Sequence, residues 1–122
     1  MKKIIIIDDS EVIRRVLTEC FTLDGYMVDT ASDGEEGLKM LREGSYSAAI
    51  LDYNMPKLNG LKVYLELRNE GHPIKDRIIF YTAEDCSDFH SYLDEVNVPY
   101  LIKPAPLNKI AEYISAFCGE YS

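Results

Sequence analysis

The sequence predicts an α/β domain: a five-stranded parallel sheet, doubly wound with five helices. Two observations carry that prediction. Short apolar runs rich in β-branched residues alternate with amphipathic stretches along the whole chain. That order argues for a parallel sheet covered on both faces. Four of the runs also end in polar or charged residues, namely Asp8-Asp9, Asp52, Thr82 and Lys103. The carboxyl ends of strands are where open α/β sheets bind ligands and do chemistry.

The elements follow in order. Lys3–Ile7 is a run of isoleucines and reads as a buried strand. Ser10 is a good N-cap, with Glu11 in the first turn. Val12, Ile13, Val16, Leu17, Cys20 and Phe21 then recur at helical spacing. Asp24-Gly25 closes that helix, and Tyr26–Thr30 alternates as a second strand. Ser32-Asp33-Gly34 leads into helix two, which carries Leu38, Met40 and Leu41 and stops at Gly44. The run from Ser47 is strand three and ends at Asp52, with Pro56 and Gly60 marking the turn beyond. Helix three carries Leu61, Val63, Tyr64, Leu65 and Leu67 and ends near Gly71 and Pro73. Strand four runs Ile78–Tyr81. Helix four starts near Asp85 or Ser87 and carries Phe89, Tyr92, Leu93 and Val96. Tyr100–Ile102 is strand five. Helix five begins around Pro106, with Leu107, Ile110, Ile114 and Phe117 facing in.

Length and composition bound the function. The 122 residues suit one domain, 1–122, with a single core. At 47% hydrophobic and 28% charged, the chain has ordinary globular composition. A net charge of −8 argues against direct nucleic-acid binding, which needs clustered Lys and Arg. No apolar stretch is long enough to span a membrane, and no signal-peptide pattern is present. Cys20, Cys86 and Cys118 show no metal-ligand spacing. Buried free thiols at Cys20 and Cys118 and a cytoplasmic location are expected.

If the strands are parallel, their polar ends share one edge and converge on one cleft. Three carboxylates there, Asp8, Asp9 and Asp52, repel one another and push at least one pKa up. A divalent cation relieves that repulsion. Carboxylates without nearby His or Cys select a hard ion such as Mg²⁺. Helix capping and solvent exposure are the plainer explanations for Asp8-Asp9, but a cap needs only one such residue. A carboxylate beside a cation, a lysine and a hydroxyl suits phosphoryl transfer to the carboxylate, forming an acyl phosphate.

With these residues in view, the chain resembles the receiver domains of two-component response regulators. The resemblance spans essentially its whole length. It rests on Ile7-Asp8-Asp9-Ser10, Leu51-Asp52-Tyr53-Asn54-Met55-Pro56 with Gly60, Tyr81-Thr82-Ala83 and Lys103-Pro104. Each fragment is weak; all four in order, each closing a strand, are specific. The resemblance implies the flavodoxin-like strand order 2-1-3-4-5, with Asp8, Asp9 and Asp52 at the switch point between strands one and three.

It also implies roles. Asp52 matches the phosphoacceptor. Asp8, Asp9, Asp52 and the backbone carbonyl of Asn54 match the Mg²⁺ site. Thr82 matches the switch hydroxyl, Ala83 the small residue after it, Lys103 the phosphate-binding lysine and Tyr100 the aromatic switch. Pro104 matches the proline of a cis peptide. The implied partners are a sensor histidine kinase or phosphotransfer protein and a downstream protein. The latter, or a second copy in a homodimer, would dock on the face made by helix four, strand five and helix five. That face is expected to carry Phe89, Tyr92 and Tyr100. The chain departs from the family at Val96-Asn97-Val98-Pro99, where Gly is usual, and at Ala105-Pro106, where a bulky apolar residue is common. Asn97 can adopt the left-handed conformation that Gly would supply.

Two versions of the receiver reading stay open: a stand-alone module, and the receiver of a longer regulator with a separate output domain. An aspartyl-phosphate hydrolase would need an acid where Asn54 stands. A flavodoxin-type electron carrier would need a Gly- and hydroxyl-rich loop where Asp8-Asp9 stand. An enzyme acting on other substrates is therefore not expected; the chain would catalyse only its own phosphorylation and dephosphorylation.

Overall fold

The computed structural model describes residues 2–119. Residue 1 and residues 120–122, the ends of the expected 1–122 domain, lie outside the described residues. The elements alternate as β1 (Lys3–Ile7), α1 (Glu11–Leu23), β2 (Met27–Ala31), α2 (Gly34–Glu43), β3 (Ala48–Leu51) and α3 (Gly60–Asn69). A 3-10 turn (Pro73–Asp76) precedes β4 (Ile78–Thr82), followed by α4 (Ser87–Val96), β5 (Tyr100–Ile102) and α5 (Leu107–Phe117). All strand pairs are parallel, in the order β2-β1-β3-β4-β5.

Alternation along the strands splits the core in two. Ile5, Ile7, Ala49, Leu51, Ile78 and Phe80 face one way and pack on Leu38, Leu41, Val63, Leu67, Phe89 and Leu93 of α2, α3 and α4. Ile4, Ile6, Ala48, Ile50, Ile79 and Tyr81 face the other way, onto Leu17, Phe21, Ile110 and Ile114 of α1 and α5. Ile4 to Ile7 are fully buried, each removal from water contributing about 2 kcal/mol. That is why the chain's most hydrophobic run is a central strand.

Caps set several boundaries. Ser10 Oγ accepts from Ile13 N–H at 3.3 Å, Asp33 Oδ1 from Glu36 N–H at 2.8 Å, and Asn59 Oδ1 from Lys62 N–H at 2.9 Å. At the end of α4, Asn97 sits in the left-handed region at φ 60°, the conformation expected of it.

Some expectations fail. Strand two is displaced by one residue from Tyr26–Thr30, because the Tyr26 N–H bonds to Phe21 O and belongs to the turn after α1. Residues 73–76 form a 3-10 turn, with His72 Nδ1 accepting from Ile74 N–H. Leu107 faces solvent at the first turn of α5, and Val12 and Val16 are exposed on α1. A helix of this length carries more apolar positions than the sheet can cover, and Leu17 and Phe21 fill the contact. Phe89 lies in the core against Tyr53 and Phe80, so it is no part of an exposed face. Cys118 is buried as expected, but Cys20 is partly exposed, and no disulfide joins the cysteines among the described residues.

Candidate functional site

Four strand ends build one cluster at the carboxyl edge of the sheet. Asp8 follows β1. Its Oδ1 accepts from Ser10 N–H at 2.9 Å, and its backbone carbonyl accepts from the Arg14 guanidinium at 2.8 Å. These bonds turn the Asp8 side chain inward and leave Asp9 exposed. Asp52 follows β3; its N–H donates to Ile7 O at 3.0 Å and its Oδ1 accepts from Tyr53 N–H at 2.8 Å. Thr82, the last residue of β4, is fully buried. Lys103 follows β5, and its N–H donates to Thr82 O at 2.8 Å. The Lys103–Pro104 peptide is cis, as expected.

The loop beyond Asp52 explains Gly60. A Cβ there would lie 2.1 Å from Asp52 O, so any other residue would displace the aspartate's own peptide. Gly60 N–H also donates to Tyr53 O at 2.9 Å, closing the loop on itself.

The electrostatics are unbalanced. Lys103 Nζ lies 2.7 Å from Asp8 Oδ2 and 3.5 Å from Asp52 Oδ2. One base thus serves two acids whose side chains are only 4% and 7% exposed. Burial raises the Asp52 pKa above the usual carboxylate value, and the Asp8 charge raises it further. A hydrogen bond from the Thr82 hydroxyl, the Lys103 charge and the Tyr53 N–H offset this only in part. Burial works against the Lys103 ammonium, yet Asp8 and Asp52 together outweigh it and hold its pKa above that of an ordinary lysine.

Asp8, Asp9 and Asp52 each offer an oxygen, and these oxygens lie within 4.8 Å of one another. Three hard, anionic donors with no nitrogen or sulfur among them fit a cation of the Mg²⁺ type. Asn54 does not join this group through its side chain, which is exposed and reaches Glu84 Oε1 at 3.4 Å. Its backbone carbonyl, the atom expected to face the metal, follows Asp52 by two residues.

The remaining expected residues surround the cluster. Ala83 and Pro104 are exposed. Tyr100 is half-buried and stacks on His90, with ring centroids 4.4 Å apart and planes at 17°. Sequence reasoning missed Glu84 and His90. Glu84 N–H donates to Thr82 Oγ1 at 3.1 Å, and His90 Nε2 lies 3.0 Å from Glu84 O. For Glu84 a signal existed, an acid two residues beyond a strand-end hydroxyl; for His90 none did.

The arrangement coincides with a known family. The model of the response regulator receiver domain matches residues 4–115. The chain belongs to the response regulator receiver domains. It is 35% identical over 115 residues to the response regulator MprA of Mycobacterium leprae, covering 93% of this chain and 50% of that protein. A Mycobacterium ulcerans MprA gives 35% over 109 residues, 88% of this chain and 46% of the relative. This receiver chain therefore spans about half the length of the curated relatives it matches. Among solved structures, TrrA of Thermotoga maritima in complex with Mg²⁺-BeF is 36% identical, with a TM-score of 0.81 over 96% of this chain and 99% of that one. A Francisella response regulator receiver domain superposes with a TM-score of 0.89 over 98% of both chains at 21% identity, a likeness of fold. The receiver assignment places the protein in two-component signalling. None of the described helices is long and apolar enough to cross a membrane.

Proposed function

We propose that this receiver domain accepts a phosphoryl group on Asp52 and reports it to a protein partner by a conformational switch. The observation that supports this best is the convergence of Asp52, Asp8, Thr82 and Lys103 from four strand ends, with Asp52 left under-neutralised. In the reaction an Asp52 carboxylate oxygen attacks phosphorus. The bond from phosphorus to a kinase histidine nitrogen, or to the leaving oxygen of a small donor, breaks, and the electron pair leaves with the donor. Asp9, Asp52 and the Asn54 carbonyl would hold Mg²⁺, with Asp8 behind them. Bound there, the ion supplies positive charge to phosphoryl oxygens that three acids would otherwise repel. Lys103 is within reach of a second oxygen, and the Thr82 hydroxyl already donates toward Asp52. Ala83 leaves the loop beside Thr82 without a bulky side chain.

Phosphorylation adds acceptor oxygens that draw Thr82 in, and Tyr100 follows, remodelling the α4-β5-α5 face. The change is a shift between two populated states. The partners this reading implies are a histidine kinase or phosphotransfer protein upstream and a protein target or second copy downstream, in the cytoplasm. The matched MprA relatives, about twice as long, favour a receiver joined to an output domain over a stand-alone module.

The test is labelling with acetyl phosphate, with and without Mg²⁺, followed by borohydride trapping and mass spectrometry. Labelling is expected at Asp52 alone and only with the cation. Labelling that survives Asp52→Asn overturns the assignment. Asp9→Ala is expected to weaken Mg²⁺ binding, followed by NMR titration; unchanged binding would remove Asp9 from the site.

A further inference from the structure

His90 touches both moving parts of the proposed switch. Its ring stacks on Tyr100 at 4.4 Å, and its Nε2 meets Glu84 O at 3.0 Å. A carbonyl can only accept, so Nε2 carries a proton in this contact. Glu84 is tied on its amino side as well, the N–H of its preceding peptide donating to Thr82 Oγ1 at 3.1 Å. The Glu84 carboxylate is held too, accepting from Cys86 N–H at 3.2 Å and from the Asn54 amide at 3.4 Å. A continuous path of contacts thus runs from Asp52 to Thr82, through Glu84 to His90, and on to the Tyr100 ring.

We infer that His90 is a positioning residue that latches the Thr82–Glu84 loop to the Tyr100 ring and so holds the domain in the unphosphorylated arrangement. The inference rests on the reading of Asp52 as phosphoacceptor and Thr82 as switch hydroxyl. When Thr82 moves toward a phosphoryl group on Asp52, its oxygen leaves the Glu84 N–H. The loop then shifts at Glu84, and the Glu84 carbonyl, in the next peptide along, is the group His90 grips. The imidazole therefore either moves with the peptide, which breaks the stack on Tyr100, or loses its hydrogen bond. Either way, the described state keeps two contacts that the phosphorylated state cannot keep together. A group that binds one state better than the other biases the equilibrium by that difference.

The test uses the full chain with Mg²⁺ and beryllofluoride, read by NMR at Tyr100. His90→Ala removes both contacts. His90→Phe keeps a ring for Tyr100 but loses the hydrogen bond. His90→Ala is expected to lower the beryllofluoride midpoint about tenfold, the equivalent of the lost hydrogen bond and the lost ring stack together. It should also move the free protein's Tyr100 resonances toward their saturated position. His90→Phe is expected to give a smaller shift in the same direction, and it carries the test should His90→Ala fail to fold. A merely structural role would lower stability and leave the midpoint unchanged. If wild type responds at Tyr100 and the folded His90 variants keep its midpoint and its free-state resonances, the latch is overturned and the switch stands. If beryllofluoride binds at Asp52 and wild-type Tyr100 stays silent, the switch reading fails and the latch with it.

Discussion

Two lysine–aspartate clusters stand at opposite ends of the sheet and behave in opposite ways. At the amino end, Lys3 Nζ lies 3.3 Å from Asp29 Oδ2, and the Tyr46 hydroxyl donates to the same oxygen at 2.6 Å. The lysine also sits 5.1 Å from the centre of the Tyr46 ring. There one acid meets one base and one donor, more than a third of each charged side chain is in water, and the Asp29 pKa falls. The Tyr46 hydrogen bond is the main cause; burial opposes it and Lys3 adds to it. At the carboxyl end, one lysine meets two buried acids and the Asp52 pKa rises. The residue types are alike, and the difference is stoichiometry and burial. A balanced cluster holds structure together. An unbalanced one stores a demand for positive charge, which a cation or a phosphoryl-transfer reaction can answer.

Removing the shared base tests that contrast most severely. Lys103→Ala leaves two buried carboxylates facing each other, and about 3 kcal/mol of stability should be lost at neutral pH in denaturant unfolding. The loss should shrink in acid as one carboxyl takes up a proton. A cost no larger than that of Lys3→Met would erase the distinction between the two ends.

Removing the surplus acid should do the reverse. The folded-state pKa of Asp52 lies above its unfolded value. Its contribution to stability is therefore full below the ordinary carboxylate range and is lost as pH rises through the folded-state value. At neutral pH the ionised group is a net cost. Asp52→Asn should raise the metal-free melting temperature by about 4 °C at pH 7, on the order of 1 kcal/mol. The gain should vanish below the ordinary carboxylate pKa. A lower melting temperature at pH 7 would mean that Lys103 satisfies Asp52 after all.

The amino-end cluster carries the opposite sign. The lowered pKa of Asp29 means that its contribution is present above the unfolded value and lost as pH falls through the folded-state value. Tyr46→Phe should cost about 1 kcal/mol at neutral pH, less than a fully buried charged hydrogen bond because Asp29 is part-exposed. The penalty should diminish in acid; a pH-independent penalty would trace it to packing instead. Lys3→Met should cost least, about 0.3 kcal/mol, and high salt should mask it.

Much of this was legible in the chain. β1 and β5 have the bounds that their apolar runs imply, because a buried central strand must be apolar throughout and the polar residue after it marks its end. Asp52, Thr82 and Lys103 were found by the same rule. Strand two was misplaced by one residue because it is half-exposed, so its alternation does not say where pairing begins. Helix-facing errors at Val12, Val16 and Leu107 have a related cause: periodicity gives a stripe, not how much of it a neighbour covers. Asn97 was anticipated because its constraint is local, a backbone angle.

The sequence by itself determined the elements, the alternation that makes the sheet parallel, and the set of strand-end residues that meet at one edge. These follow from local hydrophobic pattern and from the rule that parallel strands end on one side. Only the tertiary structure decided how charge is shared there. That Lys103 lies closer to Asp8 than to Asp52, and that the His90 ring stacks on Tyr100, depend on side chains from different elements meeting within 2.7 to 4.4 Å. Such distances arise from packing across the sheet, which no local pattern encodes.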